Sequence, residues 1–152
     1  MISPTDINPR IVELLYSEAL LLADDVRASF QLSGNLAGGG DSEDMLRVAH
    51  SCEGLRTTTR MMHVLAWLLN RRAYFAGDLS EFQLRRHGRL PSDNSSENEH
   101  LVRLAPEIRK LVEKTERFHA RIARLDEAWR TKFIMDPPAI HRLHERIGHA
   151  IG

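Results

Sequence analysis

Residues 51–77 read SCEGLRTTTRMMHVLAWLLNRRAYFAG, and the spacing of apolar residues in this stretch decides the fold. Apolar or small side chains recur at Met45, Ala49, Cys52, Leu55, Thr59, Met62, Ala66, Leu69, Ala73 and Ala76. Steps of three and four put them on one face of an α-helix and predict a buried stripe. A second row, Ser51, Gly54, Thr58, Met61, Leu65, Leu68 and Phe75, runs beside the first and is broken by Arg72. A helix with two such rows needs two partners, so it is a central helix, a subunit interface, or both. Asp41 or Ser42 caps its start and Gly77 stops it; at about 1.5 Å per residue it runs roughly 50 Å.

Working outward, Asn8 followed by Pro9 is an N-cap and first-turn proline for a preceding helix. Its stripe is Ile11, Leu15, Ala19, Leu22, Val26 and Phe30, ending before Ser33-Gly34-Asn35. Gly38-Gly39-Gly40 predicts a mobile connection near 33–41. Downstream, Ser80 to His87 suits a short helix closed by Gly88. Residues 89–99, RLPSDNSSENE, carry no apolar periodicity and predict a second mobile loop. Another long helix begins at Pro106, with Ile108, Leu111, Thr115, Phe118, Ile122, Leu125 and Trp129 forming a heptad seam. Met135-Asp136-Pro137-Pro138 ends it, and Ile140, Leu143, Ile147 and Ile151 mark an extra helix over 137–151. No segment reads as a strand. The expectation is a single all-α domain over 1–152: an antiparallel three-helix bundle with a long central helix and a short C-terminal helix.

The bulk composition narrows the function. A chain of 152 residues builds one domain with a real core. Lys plus Arg number 21 and Asp plus Glu number 21, so no general field attracts nucleic acid or an anionic membrane. Cys52 is the only cysteine, which excludes an intramolecular disulfide or a thiolate metal cage. It reads as a small core residue. The N-terminal MISPTDINPR lacks the basic-then-apolar order of a signal peptide. The longest apolar run, Met61 to Leu69, contains His63 and falls far short of the roughly 20 residues a bilayer span needs. The expectation is a cytoplasmic protein with no membrane contact.

Candidate sites are few. Gly54, between Ser51 and Thr58, lets another backbone approach closely, and Met61, Leu65, Trp67 and Leu68 continue a packing or interface surface. Trp67 is the candidate anchor, because buried aromatics dominate interface energetics. Thr57, Thr58 and Thr59 are poor helix formers whose hydroxyls bond back to the preceding turn. Arg56 and Arg60 share a face, and an antiparallel first helix offers Glu13, Glu18, Asp24 and Asp25. An interhelix Glu18–Arg60 ion pair is expected from this arrangement.

Glu116 and His119 have the Glu-x-x-His spacing of di-iron bundles, but such a site needs two of these motifs and two further inward glutamates. The other match, Glu97 to His100, lies at the loop edge. A metal-binding bundle enzyme using Glu116 and His119 is therefore the alternative reading, with no metal or cofactor expected. His141, His144 and His149 read as solvated residues of the last helix. Arg71, Arg72, Arg85, Arg86 and Arg89 form a basic cluster. A DNA-associated regulator would use it; helix capping and pairing with acids is the plainer reading, so nucleic acid is not an expected partner. No nucleophile motif and no phosphate-binding loop occurs.

The central run Glu53-Gly54-Leu55-Arg56-Thr57-Thr58-Thr59-Arg60-Met61-Met62, continuing to Trp67-Leu68-Leu69, resembles the signature of the RcdA family, alphaproteobacterial regulators of CtrA degradation. Leu15-Tyr16-Ser17-Glu18-Ala19, Val26-Arg27-Ala28-Ser29-Phe30 and Arg121-Ile122-Ala123-Arg124-Leu125-Asp126 are similar to its first and third helices. The resemblance implies a three-helix bundle that forms a homodimer and has no enzymatic activity. It implies an adaptor for the ClpXP protease, recruited to ClpX with a receiver-domain protein and bringing in cell-cycle substrates or a further cyclic-di-GMP-binding adaptor. Members outside that setting are of unknown function. Gly54 stands where the family usually has serine, and Pro137-Pro138 with the His-rich helix departs from its pattern.

Overall fold

A computed structural model describes residues 7–33 and 41–135, together with 147, 148 and 150. Its helices are α1 (Pro9–Ser33), α2 (Asp41–Phe75), α3 (Glu81–His87), α4 (Asn98–Leu101) and α5 (Pro106–Met135). Residues 147, 148 and 150 are also helical, and no strand occurs among the described residues. The expected connection near 33–41 and extra helix over 137–151, with His141, His144 and His149, otherwise lie outside them.

Local chemistry sets the helix ends. Asn8 Oδ1 accepts the Ile11 N–H at 2.9 Å, leaving Pro9 at the first position, where no donor is needed. Ser80 and Gln83 form a reciprocal capping box at the start of α3. After α2 the chain turns at Gly77, whose φ of 86° suits a residue without Cβ.

Val12, Leu15, Ala19, Leu22 and Val26 of α1 close on Met61, Val64, Trp67 and Leu68 of α2 and on Phe118 and Ile122 of α5. Each fully buried side chain of this size contributes roughly 1.5–3 kcal/mol. That outweighs exposed pairs such as Arg72–Glu13 and Arg121–Glu18, worth about 0–1 kcal/mol each. A smaller cluster, Leu104, Ile108 and Val112, packs on Phe30.

The antiparallel expectation holds for α1 and α2 and fails for α5. Phe30 lies beside Gly54 while Glu13 pairs with Arg72, so α1 and α2 run in opposite directions. Arg60 meets Thr115, Trp67 meets Asp126 and Arg71 lies over Trp129, so residue numbers rise together and α2 and α5 are parallel. The physical reason is the long connection, which carries α3 and α4 and brings the chain back before α5 starts. Residues 88–97 form an extended strap that runs beside α2 and α5, opposite in direction to both.

The first apolar row of α2 also needs correcting. Leu55, Met62 and Leu69 are 71%, 63% and 45% exposed. The buried face of α2 instead comprises Glu53, Thr57, Arg60, Met61, Val64, Trp67, Leu68 and Arg71. Charged residues occupy it because the strap, α5 and α2 itself supply their partners.

Candidate functional site

The strap has no neighbouring strand, so its peptide groups need other partners. Side chains of α2 and α5 provide them. Arg71 donates to the Gly88 carbonyl, and Asp126 accepts the Leu90 N–H at 3.2 Å. His119 Nε2 lies 3.2 Å from the Pro91 carbonyl. Arg60 reaches the Asn94 carbonyl at 3.2 Å, and Glu53 accepts the Glu97 N–H at 3.3 Å. Leu90 fills the main core. The loop that reads as mobile in sequence is thus anchored along its length.

Three charged residues organise this seam. Arg60 spends its whole fork: Nε on both carboxylate oxygens of Asp93 at 2.9 and 2.8 Å, Nη1 on Thr115 at 3.0 Å, and Nη2 on Asn94. Asp126 accepts from Trp67 Nε1 at 3.0 Å and Arg71 Nη2 at 3.2 Å, and Arg130 lies 3.3 Å away. Arg71 stacks 4.0 Å from the Trp67 ring centre, a cation–π contact between two buried side chains. Burial lowers its pKa to about 10; Asp126 opposes that shift and Arg130 adds to it.

Glu53 is fully buried. Burial pushes its pKa up, but the nearby Ser96 hydroxyl, the Glu97 N–H and Arg56 outweigh that and hold it below the ordinary value. Arg56 Nη1 is 2.9 Å away, and His100 Nδ1 lies 3.4 Å from the same carboxylate.

Two open clefts flank the strap. One, of about 320 Å³, is bounded by Cys52, Leu55, Thr59 and His63 on α2 and by Asp93 and Asn94. The other, of about 400 Å³, lies between the strap and His119, Asp126 and Arg130 of α5. The carboxylates at both are engaged by arginines or backbone N–H groups, an arrangement that fixes their geometry.

The sequence-predicted residues distribute as follows. Gly54 faces Phe30, whose Cδ1 would lie 3.1 Å from an added Cβ. Met61, Trp67 and Leu68 are buried within the chain, Leu65 is half-buried and Thr58 is exposed. Glu18 and Arg60 are not brought together: Glu18 lies 3.3 Å from Arg121, and Arg60 pairs with Asp93. The register explains this, because Arg72 beside Glu13 and Gly54 beside Phe30 set Glu18 near the level of Trp67, about seven residues or roughly 10 Å from Arg60.

Glu116 is half-buried, and His119 is committed to the strap carbonyl. Among the described residues no group of three or more His, Cys, Asp or Glu is placed to hold a metal. The arginine cluster divides: Arg71 is internal, Arg72 pairs with Glu13, and Arg85, Arg86 and Arg89 are exposed.

Glu53, Asp93 and Asp126 carry no motif that assigns them a role in sequence. Glu53 and Asp126 carry a positional signal, since Glu53, Thr57, Arg60, Val64 and Arg71 share one helix face, as do Thr115, His119, Ile122, Asp126 and Trp129; Asp93, in the strap, carries none.

The outward face of α2 is the other distinctive surface. Met45, Val48, Leu55, Met62 and Leu69 are exposed, interleaved with Cys52, Thr59, Ala66 and Ala73, and no charged residue falls in the row. No helix of the described residues is long and apolar enough to cross a membrane.

Among curated proteins and solved structures nothing matches the chain. A family described as "Protein of unknown function (DUF1465)" matches residues 3–151, almost the entire length. The chain therefore belongs to the DUF1465 family.

Proposed function

We propose that this chain is a non-enzymatic regulatory scaffold that works through protein–protein contact as a homodimer. In this reading it acts in the cytoplasm as an adaptor, delivering cell-cycle regulators to the ClpXP protease, as the RcdA proteins it resembles do. The observation that carries the proposal is the charge-free apolar row along the outside of α2. Large exposed apolar patches rimmed by polar residues mark interaction sites. The buried charges add support of a different kind, since each is tied to the strap or to a neighbouring helix and serves rigidity. The resemblance on Glu53–Leu69 supplies the adaptor role and its partners.

Affinity capture of the tagged protein from its host, read by mass spectrometry, tests this. Recovery of ClpX with a receiver-domain protein supports the adaptor role; recovery of neither refutes it. Stoichiometric iron or zinc that disappears in His119→Ala would replace the scaffold with a metalloenzyme. Salt-sensitive binding to duplex DNA that is lost in Arg85→Ala/Arg86→Ala would replace it with a DNA-associated regulator.

A further inference from the structure

We infer that the outward face of α2 is covered by the same face of a second copy, the two helices running antiparallel about a twofold axis between Thr59 and Met62. This rests on the dimeric scaffold reading and specifies its surface. The order of side-chain sizes along the row sets this pairing. Large residues, Leu55, Met62 and Leu69, alternate along the row with small ones, Cys52, Thr59 and Ala66. Antiparallel pairing about that axis sets Thr59 against the partner's Met62, Leu55 against the partner's Ala66, and Cys52 against the partner's Leu69. Toward the ends, Val48 meets the partner's Ala73 and Met45 the partner's Ala76.

Every layer then opposes one large and one small side chain, which is how facing helices interdigitate without voids. Parallel pairing does the reverse. It sets Leu55 on the partner's Leu55 and Thr59 on the partner's Thr59, crowding one layer and leaving a cavity in the next. A row complementary in size to its own reverse fits a copy of itself in an isologous twofold contact. The absence of charge in the row means that no like charges meet across the axis.

The projected area lies at the low end for a specific interface. From Met45 to Ala76 the row is about 46 Å long, and a helix is roughly 10 Å wide, giving about 460 Å² projected per copy. Two copies therefore cover close to the roughly 1,000 Å² that a specific interface needs.

Leu69→Cys tests the pairing with the native Cys52 as the second thiol. Cys52 and residue 69 of one chain are about 25 Å apart along the helix, too far to bridge within the chain. Across the proposed interface they face each other. Mild oxidation, or a short bismaleimide, should convert the variant to a covalent dimer whose linked peptides contain residues 52 and 69. The unmodified protein should not crosslink, because Cys52 lies about 25 Å from the partner's Cys52. Crosslinking of the unmodified protein through Cys52 would indicate parallel pairing and overturn the inference. A dimer by light scattering that gives no 52–69 link would overturn this surface while leaving a dimeric scaffold. A monomer at every concentration, with no link, would overturn both. Leu69→Glu, at a position exposed within one chain, should keep full helical content and become monomeric.

Discussion

Replacing Asp126 by asparagine tests whether the buried seam holds the strap. Asp126 is 2% exposed and is the carboxylate facing Arg71, while also accepting from Trp67 and the Leu90 N–H. Asparagine keeps the shape but removes the charge, and its amide presents donors where Leu90, Arg71, Trp67 and Arg130 also donate. Breaking one side of a buried ion pair costs about 3–5 kcal/mol, because the remaining charge stays buried. That is a large part of the roughly 5–15 kcal/mol available to a domain. With a urea m value of about 2 kcal/mol/M, the midpoint should fall by roughly 2 M. Urea titration followed by tryptophan fluorescence reads this, since Trp67 reports on the seam itself. Asp126→Asn/Arg71→Met removes both charges and places an apolar side chain near Trp67 and Trp129; it should recover part of the loss. A midpoint shift below about 0.5 M in Asp126→Asn, roughly 1 kcal/mol by the same slope, would refute the reasoning. So would additive losses in the double variant.

Two other predictions follow from single side chains. The Glu53 pKa is depressed in the folded chain, so its stabilisation is fully present above the ordinary value of 4.5 and is lost as pH falls through the lower folded value. Glu53→Gln should therefore lower stability at neutral pH and flatten the acid limb of a stability-versus-pH curve; an unchanged limb would count against the assignment. At Gly54, alanine gains about 1 kcal/mol of helix propensity but needs Phe30 to yield a few tenths of an ångström. Half-buried Phe30 can do so, and Gly54→Ala should be neutral within about 0.5 kcal/mol, whereas Gly54→Leu should cost about 1–3 kcal/mol by thermal denaturation.

The sequence is most legible where structure is local. Asn8-Pro9, Ser80 with Gln83 and the turn at Gly77 depend on neighbours within a few residues, and each is visible as a short pattern. The α5 seam was legible too, because one apolar row faces one core: Thr115, Phe118 and Ile122 are buried as the heptad spacing requires. Helix α2 defeats the same reasoning. Periodicity identifies faces but not which face is covered, and α2 carries apolar residues on more than one. The buried face was hidden further by Glu53, Arg60 and Arg71, which ordinary patterning assigns to solvent. The strap, together with Thr115 and Asp126 of α5 and Arg56 of α2, makes their burial tolerable, and the polar residues of the strap give no periodic signal. The parallel direction of α5 depends on the same segment.

If the outside of α2 is a protein-contact face, light scattering across a dilution series will read it as mass. The unmodified protein should show a mass twice the 17.4 kDa of the chain. Met62→Glu should show a single-chain mass, with unchanged helical content because residue 62 is exposed in one chain. A single-chain mass for the unmodified protein at every concentration, or a Met62→Glu variant that stays dimeric, would contradict it.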